Sequence, residues 1–166
     1  MPYTPYNGHE STVWFDRRKI SASVPEEKTS IDATAFSLSH IIQTEVQGGI
    51  PPSRIVIGGF SMGAAMSMHL GYRYHRDVAG VFALSGFLNH GSSVYEEIKG
   101  VKDLPLLFQC HGTKDELVSE AWGKETYDKL TELGVKGEYH TFDIFHEFNK
   151  REILMLREWI LKLLPE

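Results

Sequence analysis

Three residues of this chain, Ser61, Asp115 and His146, have the types and the order that nucleophilic chemistry needs. Ser61 sits at the centre of Gly59-Phe60-Ser61-Met62-Gly63, a match to G-x-S-x-G. Ile55, Val56 and Ile57 before it are a short β-branched run suited to a strand buried on both faces. Ala64 to Leu70 after it are mostly helix formers. A sharp strand-to-helix turn forces its central residue into a strained backbone conformation, and the flanking glycines spare the turn a side-chain collision. Ser61 is then exposed at the carboxyl end of a strand, over a helix N-terminus whose N–H groups suit a developing oxyanion. The same letters also read as a glycine-rich turn holding a serine by chance. A phosphate-cradling loop is excluded, because Ala64 and Ala65 follow Gly63 where that loop needs Lys and then Ser or Thr.

A serine hydroxyl is a weak nucleophile unless a base, itself held by a third group, takes its proton. His111-Gly112-Thr113-Lys114-Asp115 follows an apolar run at Leu104 to Cys110 and offers Asp115. Asp143-Ile144-Phe145-His146 follows a weakly alternating run at Gly137 to Phe142 and offers His146. Each has a plainer reading. Asp115 would cap a helix starting near Ser119, and His146 would fill the start of the last helix. His111 is the rival histidine, but it falls at a strand end where packing is the commoner role. Glu116 and Glu147 are rival acids with poorer spacing. A metal site from His111, Asp115 and His146 fits no common zinc spacing. Cys110 has no second thiol and reads as a small buried hydrophobe.

The elements that must position these residues alternate. Helical periodicity runs from Ile31 through Ala35, Leu38 and Ile42 to Val46, and Gly48, Gly49, Pro51 and Pro52 end it. Val78 to Ser85 is a further apolar strand, and Ser92 to Lys99 a short helix. Trp122 to Leu133 is helical and closes on Gly134. Glu147 to Leu164 is an amphipathic helix with Ile153, Leu156, Ile160 and Leu163 on one face. Strands alternating with helices, each strand an apolar run, predict a three-layer α/β/α domain around a mostly parallel sheet. Right-handed crossovers collect the strand ends, and the three candidates with them, on one rim. Trp14, Phe87, Leu88 and Phe145 fall near that rim as candidate substrate-pocket residues.

Length and composition set the boundaries. The 166 residues make one domain with a sizeable core. A net charge of −5 argues against nucleic acid, which needs a basic footprint. The densest basic run, Asp16-Arg17-Arg18-Lys19, reads as a solvated turn. The loop-rich first thirty residues carry Trp14 and Phe15, an adjacent aromatic pair expected to pin the loop by burial. No apolar run approaches the roughly 18 residues of a membrane span. The start has neither a basic region nor an apolar one, and a single cysteine agrees with a reducing compartment, so a cytoplasmic location is expected.

The order Ser, Asp, His is that of the α/β-hydrolases. Gly58 to Ala65, Trp14-Phe15-Asp16, Ile50-Pro51 with Arg54-Ile55, His111-Gly112 with Asp115 and Val118, and His146 together resemble the acyl-protein thioesterase family. The closer likeness is to its lysophospholipase-like branch, through Met62, Val78 to Ser85 and Phe108 to Thr113. The resemblance implies an α/β-hydrolase fold and a cofactor-free serine hydrolase. Its substrates would be carboxylic esters and thioesters, including acyl groups on protein cysteines or lysophospholipids. By matched position it implies Ser61 as nucleophile, Asp115 as acid, His146 as base and the Met62 backbone N–H as an oxyanion donor. A catalytically inactive binding module is the competing reading. The family's first strands and its His-Gly loop, source of a second oxyanion N–H, have no counterpart in this sequence. The expectation is therefore an N-terminally truncated sheet with the Arg54 to Gly59 strand at an open edge. Losing one oxyanion donor would cost about 3 kcal/mol of transition-state stabilisation.

Overall fold

The computed structural model describes residues 1–165. A two-residue hairpin, β1 (Pro2–Tyr3) against β2 (His9–Glu10), opens the chain and is separate from the main sheet. The main sheet has four parallel strands in the order β3 (Val56–Phe60), β4 (Gly80–Leu84), β5 (Leu106–Gly112) and β6 (Gly137–Phe142). Strand order follows chain order because each strand returns beside its predecessor through a helical crossover.

Side-chain alternation divides the core. Val81, Ala83 and Leu107 face one side, where they meet Ala64, Met68 and Tyr72 of the segment after β3. That segment is α2 (Met62–His69), continued by one wider π turn at Leu70–Tyr74. α3 (Ser93–Glu97) and α4 (Glu120–Glu132) cover the rest of that side through Val94, Tyr95 and Leu130. Phe108, Cys110 and Leu84 face the other side, under Leu156 and Trp159 of α5 (Lys150–Leu163). The result is the expected α/β/α arrangement. α4 ends where Gly134, at φ +99°, closes a C-terminal turn with Gly134 N–H on the Thr131 carbonyl and Val135 N–H on that of Leu130. α5 begins at a reciprocal cap in which the Asn149 side chain takes the Glu152 N–H and Glu152 reaches back.

Several elements sit differently from expectation. β5 starts two residues late, after Pro105, and runs on through His111, which is therefore a fully buried interior strand residue. On α5, Glu152, Leu156 and Trp159 form the buried stripe, while Ile153 is exposed. α1 (Lys28–Gln47) buries only Ile31 and Ala35, against Phe15, Ala65 and Leu70, and its later apolar positions stay accessible. The reason is topological: β3 is the sheet edge. Ser61 N–H bonds the Leu84 carbonyl and Ala79 N–H the Ile55 carbonyl, so alternation turns the polar groups of Val56, Gly58 and Phe60 away from β4. Between that edge and α1 runs an open apolar groove of about 480 Å³, lined among others by Trp14, Leu38, Ile41, Ile42 and Ile57.

The aromatic pair of the first loop is split. Phe15 is buried as expected, but Trp14 is 47% exposed above the groove. The basic run beside them is not uniformly solvated either. The loop folds back so that Arg18 and Lys19 face solvent, while Arg17 is partly covered and its cation lies over the Phe15 ring.

Candidate active site

Ser61 is held in the strained conformation that its motif predicts, at φ 56° and ψ −118°, between the end of β3 and the first turn of α2. The strain is locked by a hydrogen bond from its N–H to the Leu84 carbonyl (2.8 Å) and by close packing. A Cβ on Gly59 would overlap the Gly63 backbone, and one on Gly86 would come within 2.9 Å of the Ser61 carbonyl. The collision expected on both sides of the serine is therefore one-sided: a Cβ on Gly63 meets only the Trp14 ring, at 3.4 Å.

The other two residues arrive from neighbouring strand ends. His146 Nε2 lies 2.9 Å from Ser61 Oγ, and its Nδ1 lies 2.7 Å from Asp115 Oδ2. The second Asp115 oxygen accepts the N–H groups of Leu117 (3.0 Å) and Val118 (2.8 Å). That turn fixes the carboxylate, with only 8% of the residue exposed. Neither residue is a helix cap: Ser119 holds the N-cap position of α4, without a side-chain hydrogen bond, and Asn149 caps α5. The Phe60 ring lies against the imidazole, 4.7 Å between centroids, and limits its movement.

His111 is not a competitor for Ser61. It is fully buried behind Asp115, with Nε2 2.9 Å from the Val118 carbonyl and 3.5 Å from Asp115 Oδ2. Burial pulls its pKa below the ordinary histidine value, so the ring is neutral. Cys110 is buried, and burial pushes its thiol well above the usual range, which leaves it unreactive. Among the described residues no three His, Cys, Asp or Glu side chains converge as a metal-ligand set.

The pocket residues divide. Phe87 lines a narrow pocket with Ser61, Met62, Phe15 and Val118. Leu88 belongs to the core instead: its N–H donates to Thr126 Oγ1, which turns its side chain among Ala64, Met68 and Val94. Trp14 borders the groove at the sheet edge, and Phe145, 54% exposed, lines neither that groove nor the pocket of Ser61. Loop residues lack the periodicity that tells a strand or helix residue which way it faces. Arg17 and Phe15 also line the pocket of Ser61. The sequence carries one signal for their position, a cation two residues after a pinned aromatic, and it is too weak to assign them.

A parallel sheet with a strained serine after an edge strand, and an acid and a histidine on the next rim loops, defines an α/β-hydrolase fold. The chain belongs to the Phospholipase/Carboxylesterase family, whose sequence pattern it matches over residues 1–164. It is 56% identical over 166 residues to mouse lysophospholipase-like protein 1, covering 99% of this chain and 70% of that one. It is 33% identical to acyl-protein thioesterase 1 homolog 1 of Dictyostelium discoideum, covering 96% of this chain and 71% of the relative. Among solved structures, SOBER1 of Arabidopsis thaliana superposes with a TM-score of 0.87 at 25% identity, over 98% of this chain and 79% of that one. Acyl-protein thioesterase 2 of Zea mays shares the fold, with a TM-score of 0.84 at 22% identity, over 98% and 77% of the two chains. No helix among the described residues is long and apolar enough to cross a membrane.

Proposed function

We propose that this chain is a serine hydrolase of carboxylic esters and thioesters, acting on acylated protein or small acyl esters in the cytoplasm without a cofactor. The observation that carries the reading is the pair of contacts on one imidazole, 2.9 Å to Ser61 Oγ and 2.7 Å to Asp115. Asp115 fixes the tautomer with hydrogen on Nδ1, which leaves the Nε2 lone pair to take the Ser61 proton as Oγ attacks the acyl carbonyl. In this reading the Met62 N–H, the first of α2 and without an intrahelical partner, is the donor that stabilises the oxyanion. The imidazolium then protonates the departing thiolate or alkoxide and leaves an acyl-Ser61 ester. Water attacks that ester with His146 again as base; the Ser61 oxygen recovers the proton and the free acid leaves. The names of the relatives favour thioester and lysophospholipase-like substrates over unrelated esters.

The test is hydrolysis of a short-chain acyl thioester and its oxygen ester by the purified chain, with Ser61→Ala and His146→Asn beside it. Turnover lost in both variants, with melting unchanged, supports the assignment. Equal turnover in Ser61→Ala overturns it.

A further inference from the structure

Two cations line the pocket of Ser61 without a counter-ion among the described residues. Arg17 lines it together with Ser61, Met62, Phe15 and Phe87, and Lys19 lies at its rim. Buried charges are ordinarily paired, because desolvation is costly. Arg17 Nε is buried and has no hydrogen-bond partner among the described residues. No carboxylate of those residues lies within ion-pair distance of its guanidinium or of the Lys19 ammonium; within the run only Arg18 pairs, at 4.0 Å from Glu27. The obvious neighbour is already committed: Asp16 accepts from Thr4 N–H (2.7 Å), Thr4 Oγ1 (2.6 Å) and Arg17 N–H (2.8 Å). None of the described residues lining the pocket is acidic. The Phe15 ring, 5.3 Å from Arg17 Cζ, holds the guanidinium in place, and Arg remains charged even though burial pulls its pKa down. The pocket encloses about 20 Å³, room for one small group and not for a chain.

We propose that Arg17, with Lys19 at the rim, is an anion subsite of the nucleophile pocket. It selects esters and thioesters whose acyl or leaving group bears a carboxylate or phosphate a few atoms from the scissile carbonyl. The planar guanidinium matches such an anion through its N–H donors, and its buried, unpartnered Nε leaves the charge without a partner inside the protein. Arg17 is thus a specificity residue, and its role rests on the hydrolase reading above.

Two matched substrate pairs test it and separate the two sources of charge. The mono-para-nitrophenyl ester of adipic acid, too long for rapid closure to a cyclic anhydride, against para-nitrophenyl hexanoate places the anion on the acyl side; meta-carboxyphenyl butanoate against phenyl butanoate places it on the leaving group. The ratio of kcat/KM, anionic over neutral, should favour the anion in one pair. It should fall about tenfold or more in Arg17→Met, the scale of one hydrogen bond to a charged group, and partly recover in Arg17→Lys. Calorimetric binding of the same anionic ester to Ser61→Ala, with and without Arg17→Met, reads the subsite without turnover. Binding that needs Arg17 but no hydrolysis by the unmodified chain would sink the catalytic reading and keep the subsite. Equal ratios and equal binding with and without Arg17, in folded proteins, would overturn the subsite.

Discussion

Replacing Asp115 by Asn probes the site through one proton. Asp115 Oδ1 accepts two backbone N–H groups, from Leu117 at 3.0 Å and Val118 at 2.8 Å. An asparagine must keep its carbonyl oxygen there, because an NH2 group would face two donors. The NH2 then occupies the place of Oδ2, 2.7 Å from His146 Nδ1. Nδ1 must now accept, so the ring hydrogen moves to Nε2, the atom 2.9 Å from Ser61 Oγ. Nε2 can no longer take the serine proton. Fixing the wrong tautomer in this way costs roughly 10⁴ in kcat where the geometry is otherwise kept, or about 5 kcal/mol of barrier. The variant is nearly isosteric and retains both turn hydrogen bonds, so its melting temperature should stay close to that of the unmodified chain. The assay is kcat for a para-nitrophenyl ester beside a thermal melt. Asp115→Asn within tenfold of the unmodified kcat, with the fold intact, would refute the reasoning from tautomer to mechanism.

Two further perturbations test the elbow and the first loop. Gly59→Ala drives a Cβ into the Gly63 backbone, 2.5 Å from its carbonyl oxygen, which neither strand nor helix can yield. Overpacking of about 3 kcal/mol, at roughly 2–4 °C per kcal/mol for a chain of this size, should lower Tm by roughly 6–12 °C. Gly63→Ala meets only the movable Trp14 ring and should leave Tm unchanged or slightly higher; two alanine variants that melt alike would contradict the one-sided packing. Glu26 is the second case. Burial pushes its carboxyl up, but contacts from His69, 3.2 Å away, and from Ser92 and Ser93 outweigh this and hold it below the usual carboxylate range. A depressed folded pKa stabilises above the unfolded value near 4.5 and loses that stability as pH falls through the folded one. Glu26→Gln should therefore be less stable at pH 7, by about 1–3 kcal/mol, and converge with the unmodified chain in acid. Parallel stability curves across pH would count against the pair.

The sheet and the three converging residues were legible because each rests on a short-range constraint. An apolar run of strand length, a turn that tolerates only glycine at Gly59, and the one-rim rule of parallel sheets left few arrangements open. The open edge at β3 was legible only through the family resemblance, whose first strands have no counterpart in this sequence; the apolar run by itself argues for a central strand. Loop residues were not. Leu88 and Phe87 are adjacent and face opposite fates, one in the core and one in the pocket, because a backbone hydrogen bond from Leu88 to Thr126 sets the turn. Arg17 shares its basic run with Arg18 and Lys19, and composition alone does not separate them. What separates them is the long-range fold-back of the first loop onto α1 and α2, fixed by contacts such as Asp16 N–H to Ser30 Oγ. The apolar stripe on α1 was legible as a pattern, yet half of it remains uncovered because periodicity reports amphipathicity and not the presence of a partner.

The central claim is that Ser61 is an activated nucleophile, and covalent labelling tests it most directly. A fluorophosphonate probe should modify the purified chain at one residue, and peptide mass spectrometry should place the adduct on Ser61. His146→Ala should slow labelling by at least about 10²-fold, since proton removal alone contributes that much. A folded chain that takes no adduct, or takes it on another serine at the same rate with and without His146, would contradict the account.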